Sequence, residues 1–518
     1  MEKTALLTHE KHFDPADTVF AFLMLVCGFL YWNLIDRLYY GAGTALFAVY
    51  IFAVSLVYLK KSGIKQNSGS LITLTAAGLY AAQFALFDNR PLGALNLFLL
   101  SLLYIYWICL ATGRRLDVKL SAYLIGDTVK QGLSIPLHNF GCCAAGMTRY
   151  LKGKKFKTAL PALIGILLSL PLIAVVISLL ASADSAFEHF IKSVFKSFSF
   201  DKAITYIIQF IIGIPVAFYL FGLVYGNVKG RHTDKITIES ADAAAKGIRI
   251  APGSAVCSIL AVFNAIYLTF FTVQAAYLFS AFSGRLPEAF SHSEYARRGF
   301  FELCAVAGIN LGLLTVSNLT MRRDAKKSAN ILRVETLLIS AFTILLIITA
   351  LSKMAMYVNA YGLTRLRVYT SWFMLLLCFV FAVIIVRQFT KFNSSKLIII
   401  GAAAMFMLLS FGNVDFLIAK YNIGRLEAGT LESLDVDTLR ELSDAAVPAI
   451  YEMYLRTDEK DHDLREQLAS AILDGAVYSK DTRVKEFNLQ SFKADRIREL
   501  VALEYPRGAL AGLTARLN

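Results

Sequence analysis

Long apolar blocks separated by short polar stretches dominate this chain. Most blocks are roughly 18 to 25 residues long, the length of helix that crosses the hydrocarbon core of a bilayer. Eleven blocks predict eleven spans, at 18–35, 43–59, 70–87, 92–112, 159–181, 203–225, 253–283, 298–319, 334–357, 368–388 and 397–418. The pattern predicts an all-α fold: a polytopic α-helical membrane protein with about 11 transmembrane helices. The N-terminal stretch lacks the features of a secretory signal, so the first block is interpreted as a span.

Basic residues alternate from loop to loop along the chain. The formal net charge is +14, and the loops after spans 2, 4, 6, 8 and 10 hold 25 Lys and Arg, whereas the other five inter-span loops hold ten. Loops rich in Lys and Arg stay on the cytoplasmic side of a membrane. This predicts the N-terminus inside and the C-terminus outside. It also accounts for the basic excess, so we expect no nucleic-acid partner.

The composition changes near residue 419. The segments "LDVDTLRELSDAAVPAIYEMYL" and "DHDLREQLASAILDGAV" have the apolar spacing of amphipathic helices in a soluble domain. We therefore predict a transmembrane helical domain over 1–418 and a small extracytoplasmic α-helical domain over 419–518. A helical domain in this position suggests a binding or capping role.

Two loop segments alternate apolar and polar residues and predict helices that lie in the membrane interface. "LSAYLIGDTVKQGLSIPLHNF", between spans 4 and 5, is flanked by bases and predicts a helix in the cytoplasmic interface. "LLASADSAFEHFIKSVFKSFSF", at 179–200, predicts a second interfacial helix on the external side.

Motifs of soluble enzymes do not occur in this sequence. There is no GxxxxGK[ST] phosphate loop, no HExxH and no GxSxG, and the seven histidines show no metal-ligand spacing. We expect no cofactor, no metal site and no soluble-type catalytic domain. The adjacent Cys142 and Cys143 are interpreted as small apolar filler, with a lipidation or redox site as the alternative.

Charged residues open the eighth span. Glu294, Arg298 and Glu302 are spaced four apart on one helical face, and the same stripe reaches Asn310 near the middle of the span. Burying such groups in hydrocarbon costs several kcal/mol unless they are paired or hydrated. Further polar residues fall at the same external depth near spans 9 to 11: Lys353, Asn359, Tyr361, Arg365, Arg367, Asn413 and Asp415.

These residues allow two interpretations. In the first, Glu294, Arg298 and Glu302 form an i, i+4 ion ladder on one helix, and Lys353 and Asp415 pair between helices. In the second, the residues line a hydrated, outward-facing cavity between spans 8 and 11 that binds a ligand. Their clustering on one side of the membrane favours the cavity, because pairs that only join helices should occur in both leaflets.

Several stretches of the chain resemble a known group of proteins: "LLASADSAF", "SEYARRGFFELCAVAGINL", "KMAMYVNAYGLTRLRVYTSWFM", "NVDFLIAKYNI" and "DVDTLRELSDAAVPAI". They resemble bacterial polytopic membrane proteins grouped only as a domain of unknown function, the 4153/4173 type. The resemblance implies the bacterial cytoplasmic membrane and implies no activity. It also implies that "GFFEL" and "YGLTRLR" are family signatures.

Three functions fit the sequence. The first is a non-enzymatic envelope protein that binds a polar or lipid-linked ligand, or an envelope partner protein, in the outer cavity. The second is a transporter or lipid translocase, although eleven spans show no inverted repeat. The third is a membrane glycosyltransferase acting on a lipid-linked sugar, with Asp36 as its acidic residue. The expected partners are membrane lipids and either an envelope protein or a lipid-linked ligand. The sequence leaves the oligomeric state open.

Overall fold

The structure is a computed structural model that describes residues 13–35, 40–117, 123–150, 200–233, 236–282, 300–322, 326–473 and 485–504, with scattered positions between 165 and 187. Within these ranges, ten helices are long and apolar enough to cross a membrane. In chain order they are α1 (Pro15–Leu34), α2 (Ala42–Lys61), α3 (Ser68–Leu86), α4 (Arg90–Thr112), α8 (Phe200–Lys229), α10 (Gly253–Phe282), α11 (Phe300–Thr320), α12 (Lys326–Tyr361), α13 (Arg365–Phe389) and α14 (Ser394–Phe411). The all-α, multi-pass architecture is confirmed.

Ten of the eleven predicted spans correspond to these helices. The predicted span at 159–181 and the predicted interfacial helix at 179–200 lie largely outside the described residues.

The local sequence determines where several of the observed helices begin and end. Asn67 caps α3 because its side chain accepts a hydrogen bond from the Ser70 amide at 2.8 Å. Gly113 ends α4 in the left-handed conformation, with φ +67°.

One helical core is built around α1, α2, α4 and α8. Trp107, Phe20 and Phe221 are buried at its centre. The helices α1 and α8 approach so closely that a Cβ added to Gly28 would lie 2.2 Å from the carbonyl oxygen of Gly213. Small residues at such contacts allow helix backbones to meet in a membrane. The Gly28–Gly213 contact therefore fixes the crossing of α1 and α8.

A second core joins α10, α11, α12 and α13. Phe300, Ile347 and Phe381 are among its fully buried residues. A smaller apolar cluster connects α3 and α4 with α14, where Tyr80 and Phe84 lie close to Phe406 and Leu409.

The loop after α4 folds back along α8. It contains α5 (Leu124–Val129), a π-helical turn (Lys130–Ser134), α6 (Ile135–His138) and α7 (Cys142–Tyr150), and α9 (Ile238–Ile248) follows α8. Ile135 and Gln131 are buried, whereas Val129, Leu133 and Leu137 are about half exposed along one stripe. An exposed apolar stripe is the feature that the predicted interfacial helix requires.

Five helices follow the last span: α15 (Val414–Glu427), α16 (Val436–Arg440), α17 (Val447–Arg456), α18 (His462–Leu473) and α19 (Leu489–Glu504). They share a hydrophobic core that includes Ala419, Ile450, Tyr454, Leu468 and Val501. We call α15–α19 the C-terminal helices.

The C-terminal helices lie over one end of the spans. The amides of Ala42 and Gly43 donate to the carbonyls of Phe487 and Lys485, at 2.7 and 3.1 Å. The loops at 87–89, 362–364 and 412–413 lie at the same end, which we call the junction end. The charge pattern predicts that all of these loops are external.

Candidate functional site

An arginine–carboxylate pair connects α13 to the C-terminal helices. Arg365 is the first residue of α13, and its Nε and Nη2 donate to the two carboxylate oxygens of Asp415 at 2.8 and 2.6 Å. Asp415 is 6% exposed and also accepts a hydrogen bond from the Ser443 amide at 2.9 Å. This two-pronged geometry is the strongest form of ion pair that an arginine makes. The Asp415 carboxylate therefore connects α13, α15 and the segment before α17 through hydrogen bonds.

A second charged group joins the α3–α4 loop to the same helices. Arg90 donates from Nε to Asp88 at 3.0 Å and lies 3.5 Å from Asp444. Arg498 donates to Asp444 at 2.5 Å and to Asp495 at 2.8 Å. Asp88 also accepts from the Asp444 amide at 3.1 Å. The charges alternate in sign, so each buried carboxylate has a cationic neighbour.

Burial affects the acidity of this group. Burial of Asp88, together with the nearby Asp444 carboxylate, raises the pKa of Asp88, although Arg90 opposes the shift. Burial likewise raises the pKa of Asp495, against the effect of Arg498. The α3–α4 loop and α19 therefore contain carboxylates whose protonation is easier in the folded protein than in the unfolded chain.

A sharp corner between α12 and α13 positions Arg365. Gly362 adopts φ +73°, and the side chain of Asn422 accepts from the Leu363 amide at 2.7 Å and donates to the Leu363 carbonyl at 2.8 Å. Arg367 stacks 4.1 Å from the ring of Tyr357 and donates to the Tyr361 and Gly362 carbonyls. The motif "YGLTRLR" therefore encodes this corner together with the ion pair.

A small polar cleft lies between these two charged groups, and we call it the junction cleft. Its free volume is about 10 Å³, which leaves room for about one water molecule. The Ser443 hydroxyl beside it is buried and has no hydrogen-bond partner among the described residues. The cleft is lined by Phe87, Asp88, Asn89, Tyr369, Ser410, Asn413, Val414, Asp415, Ser443, Ala445 and Gln490.

The structure places the residues that the sequence singled out in different surroundings. Asp415 and Asn413 line the junction cleft, and Arg365 contacts Asp415 beside it. Asn413 directly precedes α15 and adopts φ +48°. Arg367 and Tyr361 lie at the adjacent corner, with Tyr361 and Asn359 exposed. Glu294 and Arg298 lie outside the described residues.

Three further residues from that set do not line the junction cleft. Glu302 is exposed near the start of α11 and interacts electrostatically with Lys353 of α12. Asn310 is fully buried, accepts from the Tyr267 hydroxyl at 2.5 Å and donates to Thr343 at 2.8 Å. Asn310 thus joins three helices by side-chain hydrogen bonds, a contact typical of helix association in membranes.

Sequence reasoning missed the residues Asp88, Asp444 and Arg498. The available signal was "FDNR" at 87–90, a pair of charges at the same predicted external depth as Arg365.

Among the residues that the structure describes, no group of three His, Cys, Asp or Glu side chains could hold a metal ion. Burial raises the pKa of Cys143 to about 12, which disfavours its reactive thiolate.

These long apolar helices define a multi-pass α-helical membrane protein. The family model described as Domain of unknown function (DUF4153) matches residues 74–453, and the chain belongs to this family. The matched range runs from α3 into α17, so it includes Asp88, Arg365, Asp415 and Asp444 but not Arg498. No curated protein and no solved structure matches the chain.

Proposed function

We propose that this protein is a non-enzymatic binding protein of the bacterial cytoplasmic membrane, in which the C-terminal helices form an extracytoplasmic cap over the junction cleft. The observation that carries the proposal is the Arg365–Asp415 pair, because it joins the first residue of α13 to the first turn of α15 by two hydrogen bonds. A buried ion pair gives little net stability, since desolvation offsets the attraction between the charges. The pair lies beside a closed cleft, where a ligand can replace Asp415 as the partner of Arg365.

The ligand would carry an anionic group. An arginine guanidinium matches phosphate and carboxylate equally well, so a phosphate can take the place of Asp415 on Arg365. The cleft has room for about one water molecule, so binding requires the cap to move away. A lipid-linked phosphate or an acidic envelope partner protein would thereby separate the C-terminal helices from α13.

A single-cysteine reporter tests this function. Ser443→Cys is placed in a variant lacking the seven native cysteines, reconstituted in nanodiscs and treated with a membrane-impermeant maleimide. We expect a polyprenyl monophosphate to increase the labelling rate at least severalfold. The neutral polyprenol of the same length is the matched control and should have no effect.

A labelling rate that is the same with the phosphate and the alcohol would contradict a lipid-phosphate ligand. If an acidic peptide likewise leaves the rate unchanged while Arg365→Ala increases it, the ion pair is a structural contact only. That result would overturn the ligand-binding function.

The other two functions remain alternatives. A transporter or lipid translocase would use the same cap movement to admit its substrate, and net movement of the polyprenyl phosphate across a vesicle membrane would support it. The glycosyltransferase depends on Asp36, which lies outside the described residues. An unchanged envelope glycan profile in a strain lacking the gene would argue against that enzyme.

A further inference from the structure

An apolar cavity of about 390 Å³ lies between α1, α2, α4 and α8. This volume is within the range of roughly 300–1,000 Å³ typical of small-molecule sites. The cavity walls are aliphatic and aromatic, and they include Phe47, Ile51, Leu97, Leu100, Val216 and Leu220. An apolar cavity stays dry and accepts apolar molecules. Within a membrane, the abundant apolar molecules are lipid chains.

Two tyrosines that line the cavity, Tyr104 and Tyr219, direct their hydroxyls to protein partners. The Tyr104 hydroxyl hydrogen-bonds Ser55 at 2.7 Å, and the Tyr219 hydroxyl donates to the Gly132 carbonyl at 2.8 Å. Both rings therefore present carbon surface to the cavity. Pro215, inside α8, lines the same space, two residues after the Gly28–Gly213 contact that holds α8 against α1.

A buried hydroxyl lies in this lining at the junction end. Thr44 is in the first turn of α2 and is 1% exposed, and its hydroxyl has no hydrogen-bond partner among the described residues. Burying a hydroxyl without a partner is unfavourable, because the group loses its hydrogen bonds to water. From Thr44 to Phe52 the cavity follows α2 for about 12 Å, at 1.5 Å per residue. The cavity is thus a largely apolar slot, and the hydroxyl of Thr44 lies at its junction end without a partner among the described residues.

We propose that this cavity binds an ester-linked acyl chain of an outer-leaflet phospholipid. The chain occupies the slot between α4 and α8, and the ester carbonyl accepts the hydrogen bond of Thr44. The segment 485–487 is hydrogen-bonded to the start of α2, one to two residues from Thr44, so the bound lipid lies beside the C-terminal helices. The lipid site is separate from the junction cleft and does not depend on the proposed function.

Photocrosslinking in nanodiscs tests the site. The full-length protein is reconstituted with phosphatidylglycerol that carries a diazirine in its acyl chain, and the adducts are mapped by mass spectrometry. We expect adducts concentrated in 44–52, 97–105 and 215–220. Ser101→Trp, which fills the cavity, should reduce them at least fivefold. Leu95→Trp is the control, because Leu95 lies on the same helix, is exposed and does not line the cavity.

A second arm tests the hydrogen bond without filling the cavity. The wild-type protein should be labelled more strongly by ester-linked than by ether-linked phosphatidylglycerol, since the ether lacks the carbonyl acceptor. Thr44→Val preserves the shape of the side chain and should abolish this preference, so this arm decides the proposal even if Ser101→Trp does not fold. Equal labelling by ester and ether lipids, or adducts spread evenly over exposed helix faces, would overturn it.

Discussion

The guanidinium of Arg365 donates two hydrogen bonds to the carboxylate of Asp415, where the spans contact the C-terminal helices. The two residues are fifty positions apart, on α13 and α15. Asp415 is almost completely buried, whereas about a quarter of the Arg365 side chain is exposed. The arginine is therefore the member of the pair that water or a ligand can reach.

Removing Arg365 should weaken the attachment of the C-terminal helices. Arg365→Ala leaves Asp415 buried without its cation, which typically costs about 3 kcal/mol. Arg365→Lys keeps the charge but loses the two-pronged geometry, so its effect should be smaller. Pulse proteolysis in increasing urea measures the free energy of unfolding of these helices.

Arg456→Ala is the matched control for this change. Arg456 pairs with Glu427 on the surface, and both side chains are exposed, so its loss should cost less than about 1 kcal/mol. Equal effects of Arg365→Ala and Arg456→Ala would show that the buried pair has no special role in attachment.

The stability of the junction should depend on pH through Asp88. Because burial raises its pKa above the ordinary 3.8, the folded protein binds this proton more tightly than the unfolded chain does. The stability that the protonated Asp88 carboxyl contributes to the folded protein is fully present below pH 3.8 and is lost as the pH rises through the raised pKa of Asp88. Urea midpoints of the wild-type protein should therefore fall over this interval more steeply than those of Asp88→Asn. Identical slopes, with exposed Asp437→Asn as a further control, would refute the assignment.

Glycine at position 41 should be required for the contact between α2 and segment 485–487. A Cβ at Gly41 would lie 2.5 Å from the carbonyl carbon of Glu486. Gly41→Ala should therefore destabilise the junction by about 1–3 kcal/mol. Gly78→Ala is the control, because a Cβ there meets no atom within 4 Å, and it should be neutral or stabilising. If pulse proteolysis finds both variants equally stable, the close approach is wrong.

The central asparagine of α11 should matter for helix association. Asn310→Leu removes hydrogen bonds to Tyr267 and Thr343 and should lower stability by about 1 kcal/mol. Asn318→Leu, on the same helix, removes only a bond to the Leu314 carbonyl of its own helix, so it should have a smaller effect. Thermal unfolding in nanodiscs compares the two. A larger effect at Asn318 would contradict the contact.

The stripe formed by Val129, Leu133 and Leu137 should lie in the lipid interface. A nitroxide label at Leu133→Cys should collide more with dissolved oxygen than with a water-soluble nickel complex. The label at Lys246→Cys, on the exposed surface of α9, should show the opposite preference. Equal access of the nickel complex to both labels would exclude the interfacial position.

Local patterns in the sequence predict the helices well. The expected span at 92–112 appears as Arg90–Thr112, and the span expected at 298–319 appears as Phe300–Thr320. Hydropathy is a property of consecutive residues, and each span satisfies its own backbone hydrogen bonds, so these elements need no long-range information.

Pairing partners could not be predicted in the same way. The predicted depth in the membrane placed Arg365 and Asp415 in one group, and these two residues do pair. The same group included Glu302 and Lys353, which interact with each other on α11 and α12 instead. Asp88 meets Asp444 across 356 positions, and no periodicity in the sequence carries that information. The sequence contains glycines at 41 and 43, but it does not show that segment 485–487 passes too close to them for a Cβ.

The most direct test of the account is maleimide labelling of Ser443→Cys in intact cells, with the seven native cysteines replaced. We predict that Ser443→Cys is protected from the impermeant reagent, whereas Asp437→Cys on the exposed surface of the same helical region is labelled quickly. Adding Arg365→Ala should release the protection at position 443 and leave the rate at 437 unchanged. Rapid labelling of Ser443→Cys with Arg365 intact would contradict the docked cap, and protection of both cysteines would contradict its external location.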